Sequence, residues 1–162
     1  MRAGATAIVL ALLTSASHAA APAAGLCAAT ETTFFACTTK RAKSISLCGA
    51  PPRTLQYRFG AAQRPELIYP RDASAGPASF LYAHHFRYQA DRAEVTFSNQ
   101  SVDYAVFDYT EDGKRRAGVR VTSADGKETE RVCSGPVTSR LRELEGVLRC
   151  DADNALNGGE CR

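Results

Sequence analysis

Two hydroxyl side chains, Ser101 and Tyr104, stand three residues apart at the start of a predicted strand. Residues 98–101 are polar and turn-prone, and they separate a strand that ends at Phe97 from one that begins near Tyr104. Serine and tyrosine hydroxyls can donate a hydrogen bond to a carboxylate, and a tyrosine ring can fill an apolar subsite. The sequence therefore predicts a partner-binding loop at Ser101 and Tyr104. The alternative is an ordinary hairpin with an exposed serine and a packed tyrosine.

The neighbouring histidines His84 and His85 are the other feature that suggests chemistry. Adjacent residues of a strand point to opposite faces, so these two imidazoles cannot readily share a metal ion. The cysteines lack the C-x-x-C spacing of zinc sites, and no segment resembles the nucleophile elbow of a hydrolase. We therefore predict a binding protein rather than an enzyme, with no cofactor and no metal, and we assign no role to His84 or His85.

Cysteine content favours disulfide bonds. An even number of cysteines in an exported chain indicates paired thiols, because compartments outside the cytosol are oxidising. Sequence alone leaves the pairing open. Local geometry favours Cys37–Cys48 across a predicted hairpin, Cys133–Cys150 around a predicted helix, and Cys27–Cys161 between the termini.

The beginning of the chain predicts export. Arg2 precedes a short apolar run at residues 7–13, and small residues at 17–19 favour cleavage after Ala19. The alternative, a membrane anchor, is disfavoured because the run is far shorter than the roughly 20 residues that span a bilayer. Removing residues 1–19 deletes one arginine from the 20 basic residues and none of the 17 acidic ones, which leaves a net charge of +2. So balanced a charge does not indicate a nucleic-acid-binding protein.

The remaining chain reads as one β-domain. We expect a flexible segment over residues 20–31 and a single domain over residues 32–162. Period-two alternation, as at Leu55, Tyr57 and Phe59, and turn signals about every ten residues predict many short strands. Leucines at 141, 144 and 148 predict one short helix near the C terminus. The fold class is therefore all-β, an antiparallel β-sandwich with one short C-terminal helix, stapled by disulfides.

Several segments in order carry a resemblance to a known family. They are F-x-C-x-T at residues 35–39, LQYRFG at 55–60, PELIYP at 65–70, the hairpin at 95–109, AGVRV at 117–121, and Cys133. This order resembles the bacterial periplasmic inhibitors of lysozyme, most of all those of invertebrate-type lysozyme. The resemblance implies a β-sandwich whose protruding loop, with a serine and a tyrosine three residues apart, enters the lysozyme cleft. Ser101 and Tyr104 match that spacing.

The resemblance implies a partner, lysozyme, and a periplasmic location. Lys114 and Arg115, at the next turn, would add cations near the catalytic acids of the enzyme. Two departures stand in the loop itself: Val102 occupies a position where related inhibitors often have glycine, and Asp103 would repel a carboxylate unless it points away. The alternative function is a non-catalytic envelope structural or interaction domain of the same fold. The lysozyme type and the oligomeric state, a homodimer included, stay open.

Overall fold

A computed structural model describes residues 25–62 and 64–161, and within them eleven β-strands form two sheets. The predicted signal peptide, residues 1–19, lies outside the described residues. The strands are β1 (Thr32–Thr38), β2 (Ser44–Ala50), β3 (Thr54–Ala61), β4 (Arg64–Tyr69), β5 (Leu81–Arg87), β6 (Ala90–Asn99), β7 (Val102–Glu111), β8 (Lys114–Thr122), β9 (Glu128–Val132), β10 (Thr138–Ser139) and β11 (Arg149–Cys150). The predicted all-β fold is confirmed.

The two sheets contain five and six strands. One has the strand order β10-β1-β2-β3-β4, and the other has the order β11-β5-β6-β7-β8-β9. Successive strands from β5 to β9 pair antiparallel through tight connections, whereas β11 pairs with β5 in parallel. The longest strands, β6 and β7, pair over their whole length of ten residues each. This hairpin therefore carries one turn at one end of the sheet and positions the β7–β8 turn at the other.

Alternation along the strands builds one core between the two sheets. In β6, Val95 and Phe97 face inward, while Glu94 and Thr96 face the outside of the six-stranded sheet. In β3, Leu55 and Tyr57 face inward in the same manner. Period-two patterning, which places alternate residues on one face, accounts for this arrangement.

Short helices fill the connections. An α-helix, α1 (Gly76–Ser79), follows a 3₁₀ helix at Ala73–Ala75. The predicted C-terminal helix is present as a 3₁₀ helix at Leu141–Leu144, and another 3₁₀ helix covers Ala155–Asn157. All three predicted leucines, 141, 144 and 148, are buried in the core. Across the described residues, no helix is long and apolar enough to cross a lipid bilayer.

Three disulfides and no free cysteine occur in the described part of the chain, as predicted, but every predicted pairing is wrong. The bonds are Cys27–Cys48, Cys37–Cys133 and Cys150–Cys161. Three disulfides are typical of proteins from an oxidising compartment outside the cytosol.

The strand register explains why Cys37 and Cys48 do not pair. Cys37 lies opposite Ile45, and Cys48 is three positions farther along β2. Three strand positions span about 10 Å and reverse the face of the sheet, whereas the Cα atoms of a disulfide lie within about 7 Å of each other. Cys37 instead points into the core and reaches Cys133 on the other sheet.

Topology excludes the other two predicted bonds. Cys133 directly follows β9, at one edge of the six-stranded sheet, whereas Cys150 belongs to β11 at the opposite edge. Cys27 lies against the five-stranded sheet through Cys48, whereas Cys161 is bonded to β11 of the other sheet. Neither pair can meet, because the two members of each pair are separated by the width of the sheet or by the sandwich itself.

The segment predicted to be flexible, residues 20–31, is described from residue 25 onward and is anchored there. Besides the Cys27–Cys48 bond, the Leu26 amide donates to Ser46 Oγ at 2.9 Å. Arg58 forms a bidentate ion pair with Glu31 and also donates to the Leu26 carbonyl at 2.8 Å. Residues 25–31 therefore cover the outer face of the five-stranded sheet. Desolvation by burial opposes the charged form, but the bonds from Arg58 prevail and lower the pKa of Glu31.

Candidate functional site

The β6–β7 turn is a two-residue connection that presents Ser101 at its tip. Asn99 pairs with Val102, so only Gln100 and Ser101 remain between the strands. Both have positive φ, 51° and 61°, the backbone of a type I′ hairpin turn. Such turns favour Asn and Gly, and the β7–β8 turn of this chain uses the favoured pair Asp112-Gly113. Gln100 and Ser101 thus keep a left-handed conformation that costs each L-residue about 1–2 kcal/mol.

A stack of aromatic rings supports the base of this turn. Phe97 lies between Tyr104 and Tyr69, with ring centroids 4.7 Å and 4.6 Å away. The interplanar angles are 1° to Tyr104 and 14° to Tyr69, so all three rings are nearly parallel. Phe80 meets Phe97 edge-on at 5.2 Å, and the buried Tyr57 lies 6.1 Å from Tyr104. Offset and edge-to-face aromatic pairs add about 0.5–1.5 kcal/mol each beyond the burial of their area.

Tyr104 is therefore half-buried rather than displayed. Its ring packs against the core, whereas Ser101 is exposed. The two predicted partner-binding residues lie together, but their surroundings give them different capacities: the serine hydroxyl can reach a partner, whereas the tyrosine ring is occupied by the stack. The alternative reading of the sequence, with an exposed serine and a packed tyrosine, describes the Tyr104 side chain accurately.

Asp103 points away from the Tyr104 face. Successive strand residues alternate in direction, and Tyr104 and Val106 face the core. The Asp103 carboxylate accepts a hydrogen bond from the hydroxyl of Ser98, its partner in the β6–β7 register. This acidic group is thus held on the outer face of the sheet.

Two surface hollows flank the turn. One, of about 650 Å³, is lined by the 65–71 stretch of the chain together with Asn99 and Gln100. The other, of about 600 Å³, includes Phe97, Ser98, Asp103 and Tyr104 among its lining residues. The turn therefore stands between two depressions that could receive the rims of a partner's cleft.

Lys114 and Arg115 lie at the opposite end of β7 from Ser101. Lys114 pairs with Glu111 in the ladder, and ten strand residues separate that end from the Ser101 turn, about 30 Å. Arg115 forms a bidentate ion pair with Asp108 at 2.8 Å and also donates to the Val137 carbonyl. The bond to Asp108 raises the pKa of Arg115. The structure does not bring these two residues together with Ser101 and Tyr104.

His84 belongs to a charged cluster at that same far end of the sandwich. Its Nε2 lies 2.9 Å from Asp91 Oδ1, and its Nδ1 lies 3.7 Å from Glu145 Oε2. Arg142 binds the other oxygen of Asp91 at 2.7 Å. The His85 side chain points to the opposite face of the sheet, and it forms no hydrogen bond or ion pair with the described residues. In that part of the chain, no group of three or more His, Cys, Asp or Glu side chains is arranged to hold a metal ion.

Glu94 is a buried carboxylate that sequence patterning missed. Its outward position in β6 predicts exposure, yet its side chain is only 1% exposed because the 151–157 stretch covers it. Tyr109 and Arg120 bind one carboxylate oxygen, and Asn154 binds the other. Both carboxylate oxygens of Glu94 thus accept hydrogen bonds, which indicates a structural role. Tyr69 was also missed, because its stacking on Phe97 joins two sheets and leaves no local sequence signal.

No protein-family model, curated protein or solved structure matches the chain. Its functional assignment therefore depends on the geometry of the hairpin turn and on the order of motifs in its sequence.

Proposed function

We propose that the protein is an exported inhibitor of lysozyme that inserts its β6–β7 turn into the substrate cleft of the enzyme. The observation that carries this proposal is the Ser101 hydroxyl, exposed at the tip of a two-residue turn whose base is fixed by the Phe97–Tyr104 stack. A preorganised turn loses little conformational entropy when a partner binds.

The chemistry of the target suits such a turn. Lysozymes cleave a glycosidic bond between two carboxyl groups in a groove, one acting as an acid and the other carrying negative charge. A serine hydroxyl that enters the groove can donate a hydrogen bond to a carboxylate and occupy the position of a substrate hydroxyl. A hydrogen bond to a charged group is worth about 1.5–3 kcal/mol. Ser101 would be the contact residue in this complex.

Tyr104 would then act mainly as a support. Its ring stacks on Phe97 two residue pairs below the turn, and so supports the base of the hairpin. Asp103, which would otherwise repel an acidic cleft, is held on the other face by Ser98. Lys114 and Arg115 are too far from the tip to belong to the same interface, and we leave them out of it.

Export to the periplasm is part of the proposal. Three disulfides favour an oxidising compartment, and residues 1–19 have the pattern of a signal peptide. Periplasm would also be the place where a lysozyme that crosses the outer membrane meets its inhibitor.

The test is a cell-wall turbidity assay of the purified, disulfide-bonded protein against chicken-, goose- and invertebrate-type lysozymes. We expect stoichiometric inhibition of at least one type. Ser101→Ala should weaken it, whereas Ser134→Ala, which removes an exposed hydroxyl near β1, should not. Inhibition of none of the three would overturn the proposal in favour of an envelope interaction domain of the same fold.

A further inference from the structure

We propose a second binding site, a cleft beside the β5–β6 hairpin that receives a lysine or arginine side chain of a peptide segment. It lies at the end of the sandwich opposite the Ser101 turn, and it does not depend on lysozyme inhibition. Its grounds are two exposed aromatic rings, an acidic lining and a buried hydroxyl without a partner.

The aromatic rings at this hairpin tip are unusually accessible. Phe86 is 71% exposed and Tyr88 is 85% exposed, in a protein whose other phenylalanines and tyrosines pack against the core or the sheet faces. Val147, on the neighbouring 145–148 loop, is exposed as well. Contiguous patches of exposed apolar side chains often mark interaction surfaces, whereas single exposed apolar residues are common on any protein.

The cleft next to these rings is acidic. It encloses about 590 Å³, a volume within the usual range of ligand sites. Phe86, Glu145 and Glu160 line it together with the two histidines, and none of the described residues that line it is a lysine or arginine. The nearest arginine of the adjoining cluster, Arg142, is held by Asp91. The described side chains of the cleft therefore carry negative charge, although the chain as a whole is basic.

The walls of the cleft are fixed in place. Glu145 lies 3.7 Å from the His84 imidazole, and the Cys150–Cys161 bond secures the segment that carries Glu160. Asn157 binds this segment to β5, because its side chain accepts from the His84 amide and donates to the Asp151 carbonyl at 2.7 Å. The two carboxylates that line the cleft thus come from two different segments, one from the 145–148 loop and one from the C-terminal segment.

Tyr82 adds an independent sign of a binding site. This residue also lines the cleft and is only 5% exposed, and no described residue forms a hydrogen bond with its hydroxyl. A buried hydroxyl without a partner costs about 1–3 kcal/mol, so such groups are rare unless a ligand or water completes them. A donor group entering between Glu145 and Glu160 would approach the region of this hydroxyl.

These features indicate the chemical class of the ligand. A carboxylate pair beside an accessible phenylalanine ring is the chemistry that recognises an ammonium or guanidinium group, through ion pairing and cation–π attraction. The exposed rings of Phe86 and Tyr88 and the exposed Val147 offer apolar surface to a ligand that carries apolar groups. A peptide carries apolar residues next to its basic side chain, whereas a free polyamine does not. The geometry therefore points to a basic side chain flanked by apolar residues.

Isothermal titration calorimetry tests the site with the full disulfide-bonded protein. The probe is a blocked pentapeptide, Ala-Leu-Lys-Leu-Ala, and its control is the same peptide with glutamine in place of lysine. We expect one-to-one binding of the lysine peptide and about tenfold weaker binding of the glutamine peptide. Glu145→Gln with Glu160→Gln, and separately Phe86→Ala, should each weaken the lysine peptide by about tenfold or more.

Glu66→Gln is the matched control, since it neutralises an exposed glutamate on the other sheet, and binding should be unchanged. The substituted cleft residues are surface groups, and circular dichroism should show an unaltered fold. Equal binding of both peptides, or no binding of either, would overturn the proposal. Spermidine binding as tightly as the lysine peptide would overturn the peptide assignment. Binding of chitotriose that Phe86→Ala abolishes, without peptide binding, would make the cleft a sugar site instead.

Discussion

The rings of Phe97 and Tyr104 lie face to face, with centroids 4.7 Å apart and planes within 1° of parallel. The two residues are direct cross-strand partners in the β6–β7 ladder, which is the geometry in which side-chain pairs stabilise a sheet. Only two residue pairs, Ser98–Asp103 and Asn99–Val102, separate this stack from the turn. The contact thus couples the exposed Ser101 to the core of the sandwich.

Removing the Tyr104 ring should reduce stability as well as binding. Tyr104→Ala should lower the free energy of unfolding by about 2 kcal/mol, less than the roughly 3–5 kcal/mol of a fully buried aromatic, because the ring is half-buried. Tyr104→Phe keeps the stack and should stay within about 0.5 kcal/mol of the parent. Urea unfolding followed by circular dichroism measures both. Parent-like stability of Tyr104→Ala would mean that the ring does not support the turn.

Relief of the left-handed strain at the tip should separate stability from function. Ser101→Gly should raise the free energy of unfolding by about 0.5–1 kcal/mol, since the left-handed cost removed exceeds the added entropy of glycine in the unfolded chain. The same variant should lose inhibition, because the hydroxyl is gone. The reciprocal control is Gly113→Ser at the β7–β8 turn, where φ is 74°, and this change should be destabilising. A destabilised Ser101→Gly variant would show that the serine side chain stabilises the turn.

The three disulfides should contribute unequally to stability. Cys37–Cys133 closes a separation of 96 residues and joins the two sheets, whereas Cys150–Cys161 closes only 11. Loop-closure entropy then predicts losses of about 4–5 kcal/mol for the first bond and about 3 kcal/mol for the second. Variants in which both cysteines of one bond are replaced by alanine, compared by urea unfolding, rank the bonds by their contribution to the free energy of unfolding. Peptide mapping without reduction gives the pairing, and a Cys37–Cys48 peptide would contradict the strand register.

Stability should fall at alkaline pH in part through Tyr109. Burial, together with its hydrogen bond to Glu94, raises the pKa of Tyr109 from 10.0 to about 12. The folded state therefore holds this proton more tightly than the unfolded state. Its contribution is complete below pH 10 and is lost as the pH rises through about 12. Burial raises the pKa of Tyr57 and of Tyr82 as well, so these two act in the same direction.

A comparison with Tyr109→Phe isolates the Tyr109 contribution to this decline. The variant should start less stable at pH 7, because Glu94 loses a donor. Its free energy of unfolding should then decline less steeply between about pH 10 and pH 12. Parallel curves for parent and variant would show that Tyr109 does not ionise at a shifted pKa.

Features encoded locally were predictable from the sequence. Alternation at Leu55, Tyr57 and Phe59 predicted a strand, and β3 is that strand, although Gln56 on its other face is buried too. The polar residues 98–101 predicted a turn, which the structure narrows to Gln100 and Ser101. Both features depend on a few consecutive residues, so no knowledge of the tertiary fold was needed.

Features that depend on pairing between distant segments were not predictable. The Cys37–Cys133 bond requires knowledge that the end of β9 meets the end of β1, which is set by sheet packing. Tyr69 meets Phe97 only because the sheets face each other, and Glu94 is buried only because a distant segment covers it. The exposure of Phe86 was likewise not predictable, because the aromatic residues around it in the sequence are typical of a buried strand.

Competition with a substrate analogue tests the central claim most directly. The affinity of the protein for an inhibited lysozyme is measured by calorimetry with increasing chitotriose, which occupies the substrate cleft. If the Ser101 turn enters that cleft, the apparent Kd should rise in proportion to the saccharide concentration, and Ser101→Ala should raise Kd by about tenfold or more in its absence. A Kd that is independent of chitotriose and unchanged by Ser101→Ala would contradict insertion of the turn.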